Sequence, residues 1–289
     1  MKRSTKLLLK AAIAIALFFQ VKHFCHRQTD GFVLSKVRSE HAPRPEWEIT
    51  PSLSNQEIAA LLSQTFTYLG CGGQCYAFLS QDKQLVLKLF KMHHLHQYPF
   101  LARIPLPSVL DHWRQKLLQN QKEKLEQLFE SSHLAFTELK EESGLLHMQL
   151  NPTSTFEVKL IDKIGNQHTL ALNDVPFALQ RYAENPFKKL RYHIKKHELN
   201  EAKQIIDQIV SALQHRYAQG ICDRDPALRR NIGIVDGHAI FIDIGAFGSA
   251  DAPISEQEVL LQETRRMQRW LEKRSPLLNQ FLLDKIASK

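Results

Sequence analysis

The stretch Gly220–Gly248, GICDRDPALRRNIGIVDGHAIFIDIGAFG, decides how the chain is read. At its centre Asp236-Gly237 is a turn dipeptide between two short apolar runs, Ile232–Val235 and His238–Ile242, which predicts a hairpin closed by a two-residue turn. Counting outward pairs Val235 with His238 and Ile232 with Phe241, so Asn231 and Asp243 emerge together at the open end. A side-chain amide beside a carboxylate is an oxygen donor set suited to Mg²⁺ held jointly with nucleotide phosphates. Asp225, six residues before Asn231, is then placed to serve the same point as a base or hydroxyl-positioning group.

Further towards the N-terminus, Leu69–Phe78 reads LGCGGQCYAF, a glycine-rich turn between two strands. Missing β-carbons at Gly70, Gly72 and Gly73 let backbone N–H groups approach phosphate oxygens. Leu85–Phe90, LVLKLF, follows as a strand with Val86, Lys88 and Phe90 on one face. A lysine in so apolar a run either reaches water at an edge or meets a phosphate and a carboxylate, because an unpaired buried ammonium costs several kcal/mol.

In this order and spacing the chain resembles the protein-kinase-like superfamily, closer in character to its small-molecule and lipopolysaccharide-sugar kinases than to typical protein kinases. The glycine loop is Gly70 to Cys75, and the strand lysine is Lys88, eighteen residues after Gly70. Asp223-Arg224-Asp225 through Asn231 corresponds to the catalytic loop, and Asp243-Ile244-Gly245 to the Asp-Phe-Gly magnesium motif. The resemblance implies an α+β, two-lobed kinase-like fold with a short helical C-lobe, binding ATP and Mg²⁺. It implies Lys88 on the α- and β-phosphates, Asp225 orienting the acceptor hydroxyl, and Asn231 with Asp243 on the metal. For the glutamate that pairs with the lysine, Glu130 is favoured among several in the helix-rich stretch Ser108–Glu142. Phe177–Tyr182 reads as the last N-lobe strand, placing adenine beside the backbone of Gln180–Tyr182.

The chain departs from that pattern in four places. Cys75 stands where a third loop glycine is usual, Asp223 replaces a histidine, and Asp225 to Asn231 is one residue longer than usual. Only 46 residues follow Asp243. Such a tail is too short for a full activation segment and a large helical lobe, which favours a small-molecule, lipid or glycan acceptor over a protein one. The altered loops also admit a second reading, a pseudokinase that uses the cleft for binding alone.

The 289 residues, 43% hydrophobic and 24% charged, have a globular composition that excludes disorder and fibrous repeats. Of the formal charge of +8, five positive charges fall in residues 1–50. There, residues 7–21, LLLKAAIAIALFFQV, form an apolar segment interrupted by Lys10 and preceded by Lys2, Arg3 and Lys6. As a helix it extends roughly 22 Å at ~1.5 Å per residue, marginal against a hydrocarbon core of ~30 Å, and bulky residues follow it where a cleavage site would need small ones. The expectation is a membrane-directed N-terminal helix, residues 1–24, then a proline-containing linker, 25–53. A kinase-like N-lobe, 54–180, and C-lobe, 181–289, follow, on the cytoplasmic side where ATP is found. Ser54 and Glu57 form a capping-box pattern opening the folded part.

Four cysteines are too few and too unevenly spaced for a disulfide framework or a four-cysteine zinc site. Lys188, Lys189, Arg191, Lys195 and Lys196 form a basic run that suits an anionic lipid or a phosphorylated sugar, or simply a solvated helix face. His93, His94 and His96 read as a polar loop, and Cys71 and Cys75 as small packing residues. No interleaved aromatic and basic pattern suggests nucleic acid.

Overall fold

The computed structural model describes residues 3–95, 107–152, 156–249 and 255–288; Lys2 and His96 of the segments above lie outside them. The chain is a mixed α+β fold built around a seven-stranded sheet. Helix α1 is Arg3–Thr29 and α2 is Asn55–Leu62; strands β1 (Thr65–Cys71), β2 (Cys75–Ser80) and β3 (Leu85–Phe90) follow. Next come α3 (Ser108–Thr137), α4 (Lys140–Ser143), β4 (Leu145–Gln149), β5 (Glu157–Ile161), β6 (Gln167–Ala171) and β7 (Phe177–Arg181). The remainder runs α5 (Pro186–Lys196), α6 (Leu199–Ala218), β8 (Ile221–Asp223), α7 (Leu228–Asn231), β9 (Ile232–Val235), β10 (His238–Phe241), β11 (Phe247–Ser249), α8 (Glu256–Glu272) and α9 (Pro276–Ala287).

The sheet order is β4-β7-β3-β2-β1-β5-β6, antiparallel except for the parallel pair β1 and β5. One face packs Phe66, Tyr76, Phe78, Leu87 and Leu89 with the β5–β6 hairpin. A larger cluster joins the buried stripe of α3 to the apolar faces of α6, α8 and α9 through the β9–β10 hairpin. Ser54 caps α2 reciprocally with Glu57, as the sequence pattern anticipates. Asp236 and Gly237 both take positive φ, 48° and 82°, so the hairpin turn twists with its strands and the register pairs Val235 with His238 and Ile232 with Phe241.

Two N-terminal expectations are corrected. Among the described residues no helix is long and apolar enough to cross a membrane, so the membrane-directed helix is not supported as a span. Lys10 splits the apolar run, and Lys22, His23, His26 and Arg27 fill the rest of α1. Residues 30–53 are also not a free linker. Phe32, Val37, Trp47 and Ile49 are buried, each such side chain contributing about 1.5–3 kcal/mol. Arg38 grips Asp174 at 2.5 and 2.7 Å, Asn151 clamps the main chain of Arg44 at 3.0 and 2.8 Å, and Tyr76 donates to the Gly31 carbonyl at 3.0 Å. Trp47 stacks edge-on against Phe129 of α3, with ring centroids 4.8 Å apart, so this strap braces that helix.

At the edge of the sheet His147 is buried between Phe156 and Phe177, and neither ring nitrogen has a partner among the described residues. Burial pushes its pKa down to about 4. The unfolded chain, with histidine near its ordinary value of 6.5, therefore takes up this proton first as pH falls. Stability present above pH ~6.5 declines between there and pH ~4, by about 3 kcal/mol for this group. Urea unfolding at several pH values should show that slope, and His147→Leu should flatten it.

Candidate functional site

Strand β3 carries Lys88 out of a row in which its neighbours Leu87 and Leu89 are fully buried. Its ammonium donates to the main-chain carbonyl of Ile242, just past β10, and so ties the sheet to the hairpin. The hairpin mouth is closed by Asn231: its carbonyl accepts Ile242 N–H at 2.8 Å and Asp243 N–H at 3.5 Å. Its Nδ2 donates to the Asp225 carbonyl at 2.8 Å, fixing the loop that bears Asp225. Lys88, Asp225, Asn231 and Asp243 consequently line one cleft of about 420 Å³, together with Gly72, Gly73, Gln180 and Tyr182.

The glycine loop forms the lid of this cleft. Gly72 N–H donates to the Cys75 carbonyl at 3.0 Å, and Lys91 holds the loop through its Nζ to Gly72 O at 2.6 Å. Among the described residues a β-carbon at Gly72 or Gly73 would meet nothing within 4 Å, and neither glycine has positive φ, so no described neighbour requires glycine there. Gly70 lies instead at an irregularity of β1 between Tyr68 and Gly70 and is not part of the cleft wall. Cys75 does face it, and burial raises the thiol pKa, so a neutral thiol sits there.

Gln74, which sequence reasoning passed over, extends from the loop tip and donates to the Gly245 carbonyl at 3.0 Å. The loop is thus latched to the Asp243-Ile244-Gly245 segment. A β-carbon on Gly245 would lie 1.6 Å from Gln74 Oε1, so this latch and that glycine belong together.

At the back of the cleft the structure does not bring Glu130 to Lys88. The buried stripe of α3 runs through Leu125, Leu128, Phe129, Ser132, Ala135 and Phe136, and Glu130 falls on the exposed side of that 3.6-residue period. One residue on, Ser131 is buried, donates to Ile244 O and accepts Phe247 N–H at 2.7 Å. Among the described residues Lys88 has no carboxylate partner. The polar contact from α3 to the Asp243–Gly245 segment is a serine hydroxyl.

Gln180 is buried, and its amide donates to Ser143 O at 2.5 Å and Phe241 O at 2.9 Å, joining β7 to α4 and β10. Tyr182 N–H is taken by Gln84 O at 2.7 Å, while Ala183 N–H and C=O have no bond among the described residues. The open backbone edge beyond β7 is therefore Ala183 as well as the Tyr182 carbonyl. Glu184 exchanges two hydrogen bonds with Ile234, 2.9 and 2.8 Å, which brings Ala183 over Gly233. A β-carbon at Gly233 would come within 2.5 Å of Ala183 Cβ, so this close approach needs glycine.

Beneath the catalytic-loop candidate lies a buried ion group that the sequence did not announce. Arg216 of α6 is 1% exposed, bonds Glu263 of α8 at 2.5 Å, approaches Asp223 to 3.9 Å and sits over the rings of Phe241 and Phe247. Asp223 in turn accepts Asp225 N–H at 2.9 Å. Burial raises the Asp223 pKa, and Arg216 opposes the shift. Arg230 lines the cleft and stands 3.9 Å from Asp225, and Arg224 and Arg229 are exposed. The basic run occupies α5, with Lys189 paired to Glu184 at 2.8 Å.

No protein-family model and no curated protein sequence matches the chain. A solved structure described as the complex of Rv3197 with erythromycin from Mycobacterium tuberculosis is similar at a TM-score of 0.35 and 12% identity, over 98% of this chain and 75% of that one. So low a score leaves the fold to be described from the chain's own topology.

Arg216→Met should lower stability by about 3–5 kcal/mol, because it strands Glu263 and Asp223 in a buried setting. Denaturant melts of Arg216→Met and of Arg216→Met with Glu263→Gln test this, the second change being expected to recover part of the loss.

Proposed function

We propose that the cleft binds ATP with Mg²⁺ and transfers a phosphoryl group to a hydroxyl acceptor, in a two-lobed kinase-like arrangement. The observation that carries the reading is the convergence of Lys88, Asp225, Asn231 and Asp243 under a glycine-rich loop. The empty room over Gly72 and Gly73 suits phosphate oxygens, which would meet loop N–H groups there. Adenine would lie along the backbone at Gln180–Ala183.

Asn231 Oδ1 and the Asp243 carboxylate fit magnesium, being hard oxygen donors; Asp243 receives only a long 3.4 Å contact from Gly245 N–H. The metal, when bound, supplies neutralisation of the phosphate charge. Lys88 would leave the Ile242 carbonyl for the α- and β-phosphates. Asp225, two-thirds exposed, would accept a hydrogen bond from the acceptor hydroxyl and take its proton. Catalysis on this account is positioning and charge compensation. Arg230 beside Asp225, with the basic run of α5, favours an anionic acceptor such as a phosphorylated sugar or lipid headgroup.

One observation favours the pseudokinase reading, a nucleotide-binding module without turnover: Lys88 is held by a carbonyl, and no carboxylate of α3 reaches it. Assays of the full chain with ATP, Mg²⁺ and phosphorylated sugars separate the two. Phosphoryl transfer or ATP turnover that falls roughly 10²–10⁴-fold in Asp225→Asn, with nucleotide affinity retained, supports the enzyme. Saturable binding with no turnover in the wild type supports the module, and turnover indifferent to Asp225→Asn removes that residue from the chemistry.

A further inference from the structure

A second cavity, of about 320 Å³, lies between the strap and the edge strand β4, and it shares no wall residue with the Lys88 cleft. The strap contributes Trp47, Ile49 and Pro51 to its wall, and the chain from β4 to the start of β5 contributes Met148, Leu150 and Phe156. These side chains are apolar and two of them are aromatic, which is the lining that receives a ring-bearing molecule.

The buried polar side chains of the same wall, His147, Gln149 and Asn151, are not equivalent. Gln149 Nε2 donates to the Leu172 carbonyl at 2.7 Å. Asn151 accepts Arg44 N–H at 3.0 Å and donates to the Arg44 carbonyl at 2.8 Å, so its amide holds the strap. His147, 6% exposed, has no partner at either ring nitrogen among the described residues. Taking an imidazole out of water without replacing its hydrogen bonds destabilises the fold. A leucine would occupy similar space without that penalty, so stability does not account for the histidine. An occupant that restores its hydrogen bond does.

Charge narrows the occupant. Burial holds the His147 ring neutral, with its pKa pushed down to about 4, and among the described residues the wall contains no lysine or arginine. Its carboxylate, Glu48, is exposed and accepts Asn151 Nδ2 at 3.2 Å. An anion would meet no cation inside, and a cation would have to leave water for an apolar interior. The interior suits a neutral molecule.

We infer that this cavity is a binding site for a small, uncharged, ring-bearing molecule whose hydroxyl or amide exchanges a hydrogen bond with His147. A neutral imidazole has an N–H on one nitrogen and a lone pair on the other, so it serves a ligand acceptor or a ligand donor. The apolar remainder of the molecule would lie against Trp47, Met148, Leu150 and Phe156. Because the wall comes from both strap and sheet, the bound molecule touches both and stabilises the docked strap. The site is independent of nucleotide binding in the Lys88 cleft.

The test uses the full chain labelled with ¹⁵N-histidine and three probes of matched size: naphthol, naphthalene and naphthoate. Naphthol should bind saturably and about fivefold or more tightly than naphthalene, the reverse of the order that a purely apolar pocket gives. Naphthoate should bind about tenfold or more weakly than naphthol, because its charge has no partner in the cavity. Naphthol should also shift the ring-nitrogen resonances of His147, which are identified by their loss in His147→Leu. In that variant, checked for an unchanged fold by circular dichroism, the preference for naphthol over naphthalene should disappear. The wild-type comparison of the three probes decides the matter even where the variant folds poorly. Absence of saturable naphthol binding would overturn the assignment. So would equal or tighter binding of naphthalene or naphthoate, or naphthol binding that leaves the His147 resonances unmoved.

Discussion

An ammonium leaving a buried strand has to be received by something, and in this chain the receiver of Lys88 is the backbone at the mouth of the β9–β10 hairpin. That contact fixes the distance between the sheet and the hairpin, and everything else in the cleft is arranged around it. Asn231 closes the mouth, Gln180 bonds β10 from the sheet side, and Glu184 exchanges bonds with β9. The polar groups facing the cleft are then those with the fewest obligations elsewhere: the carboxylates of Asp225 and Asp243, the loop amides, and the open backbone at Ala183. A neutral carbonyl satisfies the lysine only in part. An anion in the cleft would be its stronger partner, which is the physical reason to expect a charged ligand there.

Two further arrangements support the cleft from outside. Below it, the Asp223–Arg216–Glu263 group joins α6, β8 and α8, and Asp223 passes that rigidity to the amide of Asp225. Charges so deeply buried are weak evidence for stability in their own right, but they admit few geometries and therefore specify one. Behind the cleft, the strap of residues 30–53 presses Trp47 onto Phe129, and Ser131 two residues along α3 touches Ile244 and Phe247. The N-terminal segment, α3 and the Asp243–Gly245 segment are mechanically contiguous.

How much of this was legible in the sequence follows from the range of the interactions. The hairpin was readable because Asp-Gly sets a turn type and a turn sets a register, a matter of ten residues. Lys88 was readable because a lone charge in an apolar strand is anomalous in its own window. Glu130 was misplaced because helical phase, at 100° per residue, separates a core position from a surface one by a single step, and glutamates crowd that stretch of α3. The strap reads as a tether because its four buried apolar side chains are scattered among prolines and polar residues with no period. Arg216 and Glu263, 47 residues apart, carry no local mark of meeting. Gln74 was hidden between glycines, where the turn itself accounted for the composition.

The account rests on a nucleotide site, and the most direct measurement is a thermal-shift titration of the protein with a non-hydrolysable ATP analogue, with and without Mg²⁺. Lys88→Ala and Asp243→Ala serve as the paired variants. Ligand at ~100 times its dissociation constant should stabilise the wild type by ~2.7 kcal/mol. The account predicts a shift that needs Mg²⁺ and disappears in both variants. A well-folded wild type that shows no shift, or a shift of equal size in both variants, would contradict it.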